Sequence, residues 1–411
     1  MVKQSIYIIL SFSILIGCQQ PITDGTESVF DEALVNTYRN ALPTYPNLIP
    51  PTPLETIVVA PGTPAAMAPA LAEQSLAPVR YTFNLMNETL VELTSFPPTL
   101  YNEDTTQLVW GPFEAKKDFG TLALFVSQNT DYNPNYFDEE EPSGSPLQYI
   151  FALMRGKNYD LNTLTPIVQG GSTPNPENPE WGMTLLVFDF NTNKNFVEQY
   201  GEVFAPGCLA AGRFVAIRNH GPVLDENSIP TDKTLTSVVG LFRNFVPKNA
   251  PGATPMDLDY LYGDIASSDT TLSYSNFGAQ FDFDGVPETL ENVAVKMAFW
   301  SYLRRSPAGS GRAEYIATND TMAEGQFLQA TECWDYNLSK SYFSMASIYG
   351  EEVTPITTMG TPITSCDDSL ENGLDALGLP SASDGDPKLQ ELLEDIAQNG
   401  LSIDAGEDTS N

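Results

Sequence analysis

The sequence predicts an all-β fold, an antiparallel sandwich or barrel of about a dozen strands. Three observations predict it. Short apolar and aromatic runs recur at fairly even spacing from Arg80 onward. Clusters of Gly, Pro, Asn and Asp separate them. No long segment with a 3.6-residue apolar period interrupts them before residue 387. Successive strands without intervening crossover helices pair antiparallel.

In chain order, the first predicted strand is Tyr81–Leu93, which alternates partly and carries β-branched and aromatic residues. Then follow Gln107–Phe113, Gly120–Ser127, Leu147–Arg155, Met183–Phe190, Arg213–Asn219, Thr236–Val246, Ser273–Phe283, Val293–Trp300, Ala313–Ala317, Gln326–Glu332 and Ser341–Ser347. Runs such as Leu122-Ala123-Leu124-Phe125-Val126 and Leu185-Leu186-Val187-Phe188 are apolar on both faces, so they are expected to be central strands covered on both sides.

The flanks have a different character. Residues 18–79 read as a disordered tether, because prolines from Pro43 to Pro78 remove backbone donors and fix φ. Such a stretch would hold the domain roughly 40–50 Å or more from its anchor point. A short amphipathic helix over Phe30–Leu42 fits inside it. Residues 80–366 form the β-rich domain, whole or split into two β subdomains. Residues 367–411 form an acidic tail with Lys388 as its one base. That tail carries one short helix over 387–399. Asp386 caps it, Pro387 suits its first turn, and Leu389, Leu392, Leu393 and Ile396 make one stripe. The helix is expected to dock loosely or stand alone, and the last residues to be disordered.

The N-terminus is the strongest functional signal. Lys3 precedes an apolar stretch from Ile6 to Ile16, too short to span a bilayer, which needs about 20 apolar residues. The stretch ends in Leu15-Ile16-Gly17-Cys18, followed by Gln19. It resembles the lipobox of bacterial lipoproteins. The resemblance covers only the first 18 residues. It implies that residues 1–17 are a signal peptide, that the Cys18 sulfur is diacylated, and that the chain is cleaved before Cys18 and acylated on the new amine. Several acyl chains, palmitate-like in length, give stable anchoring where one is marginal. Gln19 rather than Asp after the cysteine favours the outer membrane over the inner.

Composition limits the partners. The net charge is −34, from 53 acids against 19 bases, which repels nucleic acid and anionic headgroups. Hydrophobic content of 42% is enough to build a sizeable core. Of the 4 cysteines, Cys18 is taken by lipid, in a compartment that permits disulfides. Cys333 and Cys366, both late in the domain, are the expected bridge, which leaves Cys208 as a buried thiol.

Motifs for chemistry are sparse. The sequence has no G-x-S-x-G elbow, H-E-x-x-H, P-loop or dinucleotide fingerprint, and no catalytic residues are assigned. The only histidine, His220, lies in Arg218-Asn219-His220-Gly221-Pro222, which reads as a turn ending a strand. Around Gln280-Phe281-Asp282-Phe283-Asp284-Gly285, the residues Asp282, Asp284, Glu288 and Glu291 are possible Ca²⁺ ligands at EF-hand-like spacing. Gln280 and Pro287 depart from that pattern, and Asp284-Gly285 is itself a strong hairpin turn. A second acidic stretch, Asn129–Pro146 with Asp131, Asp138, Glu139, Glu140 and Glu141, reads as a mobile solvated loop. Trp110, Trp181, Trp300 and Trp334 are mostly expected in the core.

The functional expectation is a lipid-anchored cell-envelope protein with a binding or structural role, no activity of its own and no obligatory cofactor. It would meet the membrane through its lipid and meet an envelope protein or glycan through its domain. Two alternatives stand beside it. One is an extracellular glycan-active enzyme with paired carboxylates. The other is a Ca²⁺-stabilised adhesion module.

Overall fold

The computed structural model describes residues 30–43, 64–114, 120–140, 142–200, 210–227, 229–246, 255–267, 271–281, 290–301, 310–335, 337–361, 387–399 and 401. Among these, fifteen strands form one antiparallel meander, each paired with its neighbours in sequence. They are β1 (Leu100–Asn102), β2 (Gln107–Glu114), β3 (Thr121–Gln128), β4 (Tyr149–Gly156), β5 (Thr165–Pro174), β6 (Gly182–Asp189), β7 (Ala211–Leu224), β8 (Pro230–Val246), β9 (Met256–Ala266) and β10 (Thr271–Phe281). The remainder are β11 (Leu290–Ser301), β12 (Ser310–Thr318), β13 (Gln326–Trp334), β14 (Lys340–Tyr349) and β15 (Glu352–Gly360). The all-β antiparallel class is as expected, in a single open sheet with a few more strands than the pattern suggested.

The sheet curls around helices. Helix α1 (Glu32–Asn40) and the 28-residue α2 (Met67–Thr94) lie on its inner face. One continuous core joins both helices to inward residues of every strand from β2 to β14, among them Trp110, Leu124, Phe151, Phe214, Tyr260, Val295, Tyr315 and Met345. Helix α2 touches β2 and β3 as well as β10, so strands far apart in the sheet meet the same helix. Bulges at Trp110/Phe113, Phe242/Phe245 and Met345/Ala346 add local bending to the intrinsic twist. Gly111 serves the first of these: its φ is +101°, and an added Cβ would lie 2.7 Å from the Leu122 carbonyl oxygen.

Several expectations for the N-terminal part are corrected. Tyr81–Leu93 is helical, inside α2, and the stretch read as a tether contains the start of α2; α1 falls within the helix expected over Phe30–Leu42, but it belongs to the core. The physical reason is burial. Inside a curled sheet whose ladders are already paired, only a segment that satisfies its own backbone can fill the interior. Met86, Leu90 and Leu93 supply the helical apolar stripe, each 2% exposed or less. Pro69 falls in the first turn, where its missing N–H has no cost. Helix α1 is fixed as firmly. Asp31 caps it by accepting from the Ala33 N–H at 3.0 Å, and Val35 and Tyr38 are buried. The Tyr38 hydroxyl donates to the Thr106 carbonyl at 2.6 Å, and burial pushes that phenol up to about 12.

The outer face carries a second, smaller core. Leu185, Val187, Val215, Ile217 and Leu241 of β6–β8 pack against Leu393, Ile396 and Ala397 of α4 (Pro387–Asn399). This is why β6 and β7 read as apolar on both faces: alternate residues serve the two cores. Helix α4 has the bounds expected of it, but it is docked rather than loose. Arg213 donates to the Ala397 carbonyl at 2.9 Å, at the helix C-terminus, where a cation is favoured. Arg243 pairs with Glu394 and, at 2.7 Å, with Asp259.

The last strand is different. All 9 residues of β15 are exposed. Pro355 in its middle and the register shift opposite Met345/Ala346 blunt this edge against further strand pairing.

Candidate functional site

The most concentrated polar site inside the sheet centres on Glu332. Alternation along β13 turns Leu328, Ala330, Glu332 and Trp334 inward, which places a carboxylate at 0% exposure. The first backbone N–H groups of α2 meet it: Met67 donates to both oxygens at 2.9 Å and Ala68 to Oε2 at 2.9 Å. Ala66, the residue before the helix, makes no side-chain cap, so Glu332 supplies the cap from across the fold. The Tyr315 hydroxyl donates to Oε2 at 2.6 Å, and the Lys340 ammonium lies 3.0 Å from Oε1. Burial, and then the charge of Glu332, raises the Tyr315 phenol well above its ordinary value, so it stays a donor. A carboxylate with this many donors is suited to hold the helix in place rather than to react.

A second inward polar group lies on β5–β9. Ser172, Thr184 and Arg218 share one cross-strand row, each 9% exposed or less. The next row aligns Gly182, His220, Thr236 and Asp264. His220 therefore sits within β7, which runs on to Leu224, and not in a turn ending a strand. The register continues to Gly221–Leu235 and Pro222–Thr234, so the ladder carries the chain past the Gly-Pro pair. The imidazole Nδ1 lies 2.8 Å from Thr236 Oγ1. Burial, and then the Arg218 charge, lowers its pKa, with the Leu235 backbone and Glu180 acting the other way. The ring is thus neutral at pH 7. The row places threonine between histidine and aspartate, so this carboxylate is not placed to orient the imidazole as a general base.

Of the residues singled out from sequence, Cys18, Asp282, Asp284, Glu288, Cys208 and Cys366 lie outside the described residues, and Glu291 is described only as a backbone position in β11. The segments flanking the acidic turn are the paired strands β10 and β11, with Phe281 opposite Leu290. That is a hairpin setting and not the helix pair of an EF-hand. Among the described residues, no three His, Cys, Asp or Glu come together as metal ligands. Cys333 is disulfide-bonded and fully buried.

The described part of the acidic loop from Asn129 is tied together by its own hydrogen bonds. Ser145 N donates to the Asp131 carbonyl at 2.8 Å, and Asn133 Nδ2 to the Ser143 carbonyl at 2.8 Å. Its backbone holds α4: Lys388 Nζ donates to the carbonyls of Phe137, at 3.1 Å, and Glu139. Backbone carbonyls of the loop thus take part in holding the tail's one base. Trp110 and Trp334 are buried in the core, as expected.

A shallow depression of about 240 Å³ lies beside β15, lined by Gln326, Ser347, Tyr349, Glu352 and Thr354. Tyr349, Val353 and Ile356 leave apolar surface exposed around it. No family model matches the chain, and no curated protein or solved structure matches it either.

Proposed function

We propose that this chain is a lipid-anchored protein of the bacterial cell envelope, held in the outer membrane by Cys18, with a β domain that binds or supports other envelope components rather than catalysing a reaction. The observation that carries this reading is Leu15-Ile16-Gly17-Cys18 after a short apolar stretch.

The fold changes the geometry of that anchor. Because α1 belongs to the core, only residues 19–29 separate Cys18 from the folded body. Even fully extended, that length reaches only about 40 Å. The domain works close to the bilayer, on a leash far shorter than a tether running to residue 79 would provide. A partner is therefore sought among components at the membrane surface.

The test is metabolic labelling with a radiolabelled fatty acid in a bacterial host, followed by detergent phase partition. The chain is expected to take label and enter the detergent phase, and Cys18→Ser to lose both. Label retained by Cys18→Ser, or an unlabelled chain in the aqueous phase, would refute the anchor.

A further inference from the structure

We infer that the outer face of β6–β8 is a receptor groove for an amphipathic helix with a carboxylate near its C-terminal end, and that α4 is an internal ligand which a partner helix of the same pattern displaces. This groove gives the binding role proposed above a surface. Only the partner's place in the envelope rests on that reading.

The floor of the groove belongs to the strands. Leu185, Val187, Val215, Ile217 and Leu241 face outward by alternation, and Leu147 joins them from just before β4. Leu389, Leu392, Leu393 and Ile396 of α4 fill it as a stripe at i, i+3, i+4 and i+7. The meander is complete without this helix, because each strand pairs with its neighbours in sequence and α4 adds no rung to a ladder. A helix of 13 residues is marginal by itself, so the groove orders α4 rather than the reverse.

One end of the groove is built for a helix C-terminus. Arg213 and Arg243 lie directly opposite each other on β7 and β8. Like charges in that position destabilise a sheet unless anions offset them. Asp189 and Asp259 take part of the charge. Helix α4 supplies more: Arg213 donates to the carbonyls of Ile396, at 3.4 Å, and Ala397, at 2.9 Å, while Arg243 pairs with Glu394. Those carbonyls are the negative end of the helix dipole. At the other end the loop carbonyls of Phe137 and Glu139 accept from Lys388. Tyr136 of the same loop lies beside the acidic side of α4, and burial, and then the charges of Glu391 and Asp395, raise its phenol.

These contacts ask for an apolar stripe, a cation in the first turn, one carboxylate and free carbonyls at the end. None of them needs the helix to be joined to β15. As a tethered ligand, α4 competes at roughly millimolar effective concentration, so it shuts out weak apolar segments and yields to a helix that binds better.

The experiment uses a fluorescent synthetic peptide of residues 387–399 as the probe, the full chain as the receptor, and anisotropy as the readout. Leu393→Ala with Glu394→Arg in the chain weakens its own α4 and leaves the groove unchanged. The probe is expected to bind this release variant about tenfold or more tightly than the wild type. Adding Arg243→Glu to the release variant should abolish binding of that probe and admit a probe carrying Glu394→Arg. Equal binding to wild type and release variant, binding to neither, or no switch of preference with Arg243→Glu overturns the receptor groove. So does a release variant whose strands lose hydrogen-exchange protection, since α4 would then be part of the fold and not a ligand. Cys18 takes no part in peptide binding, so these failures leave the anchor standing, and a chain without fatty-acid label leaves the groove standing.

Discussion

Replacing Glu332 with glutamine tests whether one buried carboxylate holds the central helix in the curled sheet. The substitution keeps the shape and removes the charge. Lys340, with 10% of its side chain exposed, loses its counter-ion, and the N–H groups of Met67 and Ala68 lose an anionic acceptor. The new amide also turns an NH₂ donor toward a site filled with donors. Breaking a buried ion pair by removing one partner costs about 3–5 kcal/mol. Hydrogen bonds to a charged group contribute about 1.5–3 kcal/mol each, so the loss of two gives the same range. Since a domain is stable by roughly 5–15 kcal/mol, Glu332→Gln is expected to remove about a fifth or more of the total. The measurement is the urea midpoint of the full chain, with Lys340→Met and the double variant completing a cycle. A coupling of about 1–3 kcal/mol between the two positions is expected. A loss under about 1 kcal/mol for Glu332→Gln, or strictly additive effects in the cycle, would show that α2 is held by apolar packing alone.

Two further outcomes follow from the outer face and the polar rows. Leu393 is 1% exposed under α4, and Leu393→Ala should cost about 2–5 kcal/mol. The loss should fall on α4 first, so hydrogen exchange should speed up in 387–399 while the strands stay protected, and simultaneous loss of protection in β6–β8 would refute separate docking. His220 has a folded pKa below its ordinary 6.5, so the unfolded chain binds the proton more readily. Its contribution to stability is complete above about pH 6.5 and is lost as pH falls toward the folded value. His220→Gln should flatten that part of the stability–pH curve, and an unchanged slope would mean that the ring does not titrate as its surroundings require.

Most of the sheet was legible in the sequence because its strands carry their own signal. Leu185 to Phe188 and Phe214 to Ile217 face two cores, and a run that is apolar on both sides records that without any partner being known. Apart from the three-residue β1, the strands that escaped notice are those whose residues argue against strand. β5 contains Gly170-Gly171 between two prolines, β9 alternates acids with aromatics, and β15 holds Pro355. In each case pairing with neighbours outweighs local propensity. The error over α2 has the same origin. Pro69 and Pro78 look like tether, and Tyr81 to Leu93 has strand-like composition, yet Met86, Leu90 and Leu93 fall at i, i+4 and i+7. The polar rows depend on register across β5–β9, so no local pattern announces them. Glu332 is an exception that was readable: once β13 is a strand, alternation with Leu328, Ala330 and Trp334 turns it inward, and an inward acid needs a partner.

The joining of α1 to the core also bears on what the domain does. A chain of net charge −34 on a long tether would sample space away from the bilayer. On the proposed Cys18 anchor, the same domain would stay near a surface whose anionic headgroups repel it within a Debye length of about 8–10 Å. Repulsion and a short reach would then act against each other, and together would favour a domain standing off the membrane. The folded body begins at α1, whose Tyr38 and Arg39 bond the carbonyls of Thr106 and Phe96 beside β2. The opposite sheet edge, β15, is then set by the fold rather than by a loose linker. On that proposed anchor, a force or a partner acting on the domain would be transmitted through α1 toward Cys18. That would suit the structural or binding role proposed, and it would depend on the caps and hydrogen bonds of α1 as much as on Cys18.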